Sequence, residues 1–239
     1  APQAAELIAQ LKPLVAEVTA VEMVVCPPFT SLAAAHQALA GSRVGLGAQD
    51  MFWESSGAFT GEISAEMLLT SGCGYVIIGH SERRQYFGET DASVNRKLVA
   101  ALQAALTPIV CCGETLQERQ AGRVQEVVLG QIDGAFAGIA AAEAAKVVVA
   151  YEPVWAIGTG VTATDEQAQE VHALIRGRLQ VLFGPEVAAG MRIQSGGSVK
   201  ADNAAGLFAQ PDIDGGLVGG AALKAADFAA IIKAAGKAQ

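Results

Sequence analysis

One carboxylate, one imidazole and two pairs of glycines carry the chemistry that this sequence of 239 residues can offer. Glu152 follows the β-branched run Val147-Val148-Val149, which reads as a strand buried on both faces. Directly after it come Pro153, Val154, Trp155, Ala156, Ile157, Gly158, Thr159 and Gly160, a loop apolar in its middle and bounded by proline and glycine. Surface loops rarely carry Trp and Ile, and a hinged apolar loop beside an acid suits closure over a ligand. The plainer alternative is a βα turn with a stray acid. Thr164-Asp-Glu-Gln167 then opens a long helix with a capping box.

His80 ends the strand-like run Tyr75-Val-Ile-Ile-Gly-His80 and is followed at once by Ser81-Glu82-Arg83-Arg84. Amides of a helix starting there would disfavour the imidazolium. A neutral histidine at such a place donates a hydrogen bond to a substrate oxygen and can still move a proton. A histidine that merely ends a strand is the competing interpretation. Gly196-Gly197-Ser198 and Gly219-Gly220 follow the last two strand-like runs, each before a short helix. Glycine lets a backbone approach an anion, and helix-start amides supply partial positive charge. Two such pairs in succession point to a phosphate cradle.

The elements that must position these groups alternate strictly. Helical periodicity covers residues 2–16, 30–40 (capped by Thr30 or Ser31), 64–71, 91–105, 114–142 with a break near Gly122, 164–183 and 225–235. Strand-like runs cover 23–26, 44–49, 75–80, 108–112, 147–151, 192–195 and 216–220, with a charged turn after His80. Such alternation means a parallel sheet, either doubly wound or closed as a (β/α)8 barrel. No G-x-G-x-x-G follows any strand, whereas polar residues (Gln49, His80, Glu114, Glu152, Ser198) recur at strand ends. That favours the barrel. It needs eight strands and seven are found, with a helix opening the chain, so the first strand and its loop are expected to be missing from this chain. No linker divides residues 1–239, so one domain is expected.

Composition narrows the function. The chain is 51% hydrophobic and 17% charged with a net charge of −8, and no basic stripe suggests nucleic acid as a partner. No apolar stretch is long enough for a bilayer and no signal peptide opens the chain, so no membrane association and a cytoplasmic location are expected. Cys26, Cys73, Cys111 and Cys112 show no C-x-x-C spacing and read as buried reduced thiols. The 3 histidines are too dispersed for a metal site; His36 and His172 are expected on exposed helix faces.

Six segments, GAFTGEIS (57–64), IIGHSERR (77–84), CCGET (111–115), YEPVWAIGTG (151–160), GGSVK (196–200) and LVGGAAL (217–223), resemble triosephosphate isomerases in sequence and order. The resemblance implies a TIM barrel that interconverts dihydroxyacetone phosphate and D-glyceraldehyde 3-phosphate without cofactor or metal, in glycolysis and gluconeogenesis. A glutamate base paired with a neutral histidine is the usual pattern of that family. It makes Glu152 the base and His80 the group that polarises the carbonyl. Glu82 becomes a supporting acid, and Cys111 a packing residue behind Glu152. Gly158, Ser198, Gly219 and Gly220 become the phosphate-binding amides, and residues 153–163 the lid. Phe59 and Thr60 match residues that dock into a second subunit, implying a homodimer. The family's substrate-contacting Asn and Lys after the first strand have no counterpart here, Ser195 stands where the family usually has Tyr, and Val161 replaces a usual Lys. Two other readings are a barrel acting on a larger sugar phosphate, and a catalytically silent barrel that only binds phosphate or assembles.

Overall fold

The computed structural model describes residues 1–157 and 162–237. Among these described residues, seven strands form one parallel sheet in sequence order: β1 (Val24–Val25), β2 (Gly45–Ala48), β3 (Tyr75–Ile78), β4 (Thr107–Cys112), β5 (Val148–Tyr151), β6 (Ile193–Ser195) and β7 (Gly215–Gly216). The order never reverses, so there is no doubly wound switch point.

Side-chain alternation shows how the two faces are used. Val76 and Ile78 of β3, Val110 and Cys112 of β4, and Val149 and Tyr151 of β5 pack with helix residues such as Leu11, Val94, Val128 and Ile175. Their neighbours Ile77, Ile109, Cys111, Val148 and Ala150 form a separate cluster with Cys26 and Leu217, without any helix residue. Helices therefore cover one face, and side chains of the strands and of residues just beyond them fill the other, as a barrel wall requires and a doubly wound sheet does not. The parallel register sets Ile109 beside Val148 and Cys111 beside Ala150, so strand ends arrive together.

Most elements fall where the periodicity placed them; the final helix, Ala225–Ala235, matches its expected bounds. The exceptions have local causes. Residues 81–87 form a helix rather than a charged turn: His80 caps its start, and Gly88 takes the left-handed conformation (φ 67°) that ends it. Ser31 holds the N-cap position of Leu32–Ala38 but makes no side-chain cap bond, because a 3-10 turn, Phe29–Ser31, leads into that helix. β1 and β7 are shorter than expected, since each is hydrogen-bonded to a strand on one side only. His172 is wholly buried, not exposed. Its Nδ1 lies 2.7 Å from the Ala168 carbonyl oxygen and its ring meets Tyr151 edge-on at 5.4 Å.

A buried ionic knot underlies the β3 end. Lys97 Nζ lies 2.6 Å from Asp50 and also pairs with Glu89, while Arg83 Nε lies 2.9 Å from Asp50. The second Glu89 oxygen accepts from the Gly79 amide at 3.0 Å, immediately before His80. Removing one member of such a group strands the others in a dry interior. Lys97→Met should therefore lower unfolding free energy by about 3–5 kcal/mol, seen as a reduced denaturant midpoint. An unchanged midpoint would show that the knot is not structural.

A candidate active site at the strand ends

Strand parity places Glu152 on the helix-free face, in line with Val148 and Ala150. The same parity would send His80 outward with Val76 and Ile78. Gly79 prevents this. Its φ of 73° turns the chain, and a Cβ there would meet Val94 at 3.0 Å and the Cys111 carbonyl oxygen at 3.1 Å. His80 is thereby turned toward Glu152, and their Nε2 and Oε1 atoms are 2.8 Å apart.

Backbone amides hold both partners. The Glu82 N–H donates to His80 Nδ1 at 3.3 Å, which leaves the proton of a neutral ring on Nε2, facing the carboxylate. The second Glu152 oxygen accepts from the Ser81 N–H at 3.1 Å. So the start of the helix Ser81–Phe87 serves both groups. Glu152 is almost fully buried, with 3% of its side chain exposed against 25% for His80. Burial disfavours the imidazolium, but the hydrogen bond and charge of Glu152 outweigh it and raise the His80 pKa above its ordinary 6.5. The carboxylate as nearest acceptor thus opposes the bias toward a neutral ring that the sequence suggests.

Around Glu152 the packing leaves no slack. A Cβ at Gly196 would lie 2.9 Å from Glu152 Cγ, and one at Gly113 would lie 1.7 Å from the Glu152 carbonyl oxygen. Cys111 is buried against the carboxylate; burial first, then the Glu152 charge, pushes its thiol pKa well up, so it packs rather than reacts. Glu82 is placed differently from a supporting acid in contact. Its carboxylate is 63% exposed and 3.8 Å from Nδ1, while its amide makes the hydrogen bond.

Sequence reasoning noted Glu114 at a strand end but gave it no role. It is fully buried and accepts from Tyr151 Oη at 3.0 Å, Trp155 Nε1 at 2.8 Å and Arg119 at 3.0 Å. The first turn of the loop, Val154–Ala156, is thus tied to β4, and the Val154 amide donates to the Glu114 carbonyl at 3.1 Å. The signal was the acid in CCGET paired with a Trp-bearing loop. Pro153 and Ala156 are buried and Ile157 half-buried, whereas Gly158, Thr159, Gly160 and Val161 lie outside the described residues.

Ser198 follows β6, and its Oγ donates to the Ala156 carbonyl at 2.6 Å, joining this loop to the Val154–Ala156 turn. Gly219 and Gly220 follow β7 and open a 3-10 turn, Gly220–Leu223, whose first amides have no acceptor within it. β6 and β7 are paired neighbours, so the two glycine loops lie side by side. Phe59 is 42% exposed and packs on Phe52 with ring centroids 4.8 Å apart; Thr60 beside it is exposed. Among the described residues no cluster of three or more His, Cys, Asp or Glu could hold a metal ion.

The model of the family described as triosephosphate isomerase matches residues 1–235. Triosephosphate isomerase of Moorella thermoacetica is 60% identical over 230 residues, covering 96% of this chain and 92% of that protein. The protein of that name from Citrifermentans bemidjiense is 57% identical, covering 97% and 92%. That of Chloroflexus aurantiacus is 56% identical, covering 96% and 92%.

The His80–Glu152 contact yields a titration test. The His80 ring should titrate above 6.5 by NMR, and in Glu152→Gln its midpoint should fall, since burial is left as the main influence. A midpoint unmoved by the substitution would mean that the two groups do not share a proton.

Proposed function

The chain belongs to the triosephosphate isomerase family, and from that premise we propose that it interconverts dihydroxyacetone phosphate and D-glyceraldehyde 3-phosphate. The observation that carries this reading is the 2.8 Å contact between a buried carboxylate and an imidazole at the strand ends. The Glu152 carboxylate takes the proton from the carbon beside the substrate carbonyl and returns it to the neighbouring carbon. The carbonyl oxygen takes the place that Glu152 Oε1 now holds on the Nε2–H of His80. With the carboxylate turned to carbon, burial and the Glu82 amide keep the ring neutral, suited to polarising the carbonyl and moving protons between the two oxygens. No cofactor enters these steps.

The substrate phosphate sits against the amides of Ser198, Gly219 and Gly220, with Gly158 completing the cradle when the loop closes. The loop from Pro153 to Gly160 is the lid, excluding water from the enediolate, and Glu114 anchors its first turn through Trp155. Residues 1–239 act as one domain in the cytoplasm, in glycolysis and gluconeogenesis. Two copies assemble as a homodimer through the loop bearing Phe59 and Thr60; an aromatic ring exposed at a loop tip supports that surface.

Glu152→Gln keeps the shape and removes the base. Its kcat for triose phosphate in a coupled assay should fall by roughly 10²–10⁴-fold with KM little changed. Turnover at the unmodified rate would refute the assignment. Phe59→Glu should shift sedimentation toward the monomer; an unaltered profile would remove this loop from the interface.

A further inference from the structure

Gly113 lies between the two residues that tie β4 to the catalytic loop. The Glu152 amide donates to the Cys112 carbonyl at 2.8 Å and the Val154 amide to the Glu114 carbonyl at 3.1 Å. Gly113 therefore sits between two rungs. The Glu152 main chain rests directly on it, for an added Cβ would fall 1.7 Å from the Glu152 oxygen and 2.7 Å from its carbonyl carbon. The polar groups of Gly113 still need partners. One side chain supplies both: the Gly113 N–H donates to Gln131 Oε1 at 2.8 Å, and Gln131 Nε2 donates to the Gly113 carbonyl at 3.1 Å. A carboxamide suits this because it presents a donor and an acceptor side by side. Gln131 stands in the helix Val124–Ala135, beside fully buried Ile132, so the clamp is referred to the packed helix layer.

We propose that Gln131 is a positioning residue for proton transfer at Glu152, acting through the Gly113 peptide without touching the carboxylate. This rests on Glu152 being the base of the isomerase reaction. The clamp holds the surface on which the Glu152 backbone is seated and, one residue on, the Glu114 that anchors Trp155. The clamp makes no hydrogen bond of its own to the loops after β6 and β7. Its loss should slow proton abstraction and leave phosphate binding intact, and misplacing a reacting group by about 1 Å costs on the order of 10²-fold.

Gln131→Met matches the length of the side chain and removes both hydrogen bonds. It should lower kcat by about 10–100-fold while KM stays within about twofold. The primary isotope effect on kcat, with substrate deuterated at the carbon that loses its proton, should rise above that of the unmodified protein. Gln131→Glu keeps an acceptor for the Gly113 amide and should recover part of the rate. Hydrogen exchange should quicken together in segments 112–116 and 151–156 of Gln131→Met. Unmodified kcat and isotope effect in Gln131→Met would overturn the proposal. So would a rate that falls only in step with the folded fraction at a constant isotope effect, or unaltered exchange in both segments. If the unmodified protein turns over no triose phosphate, the isomerase reading itself fails, and the catalytic role of Gln131 with it.

Discussion

Two groups of opposite preference are held together here away from water, and the rest of the molecule is what makes that tolerable. A carboxylate at 3% exposure is costly unless its oxygens are occupied, and both are, by an imidazole and by the Ser81 amide. Each donor comes from the end of β3 and the acceptor from the end of β5, with β4 between them. The parallel ladder therefore sets the spacing of the pair. Gly79, Gly113 and Gly196 each remove a Cβ that would push the chains apart.

Much of this was legible beforehand, for identifiable reasons. The run Val147–Val149 before Glu152 and the cap Thr164–Gln167 after the loop gave their elements correctly, because continuous β-branched runs and capping boxes report local geometry. The charged turn expected after His80 is a full helix; its residues SERRQYF show no apolar stripe, and its ends are set by the His80 cap and by Gly88. The ends of the sheet were overextended because ladder length depends on neighbours, which a single segment does not reveal.

The site divides along the same line. Glu152 and His80 were found from their places at strand ends. Their contact, and the resulting rise in the affinity of His80 for a proton, arise from residues 72 positions apart and become visible only in three dimensions. Glu114 was visible as an acid at a strand end, yet its partner is a tryptophan indole across the fold, and Gln131 pairs with a distant backbone peptide. Hydrogen bonds of this long-range kind carry no periodicity.

His172 gives the molecule a second relation to acid. Burial lowers its affinity for protons. The unfolded chain thus binds a proton at this residue more readily than the native one, and stability drains away as pH falls through the ordinary histidine value of about 6.5. His80, with its pKa raised, acts in the opposite sense: its contribution is fully present below that value and is lost as pH climbs through its native midpoint. The fold is therefore buffered against mild acid by its reactive histidine and exposed to it by its inert one, so acid tolerance and proton-transfer chemistry can be altered separately.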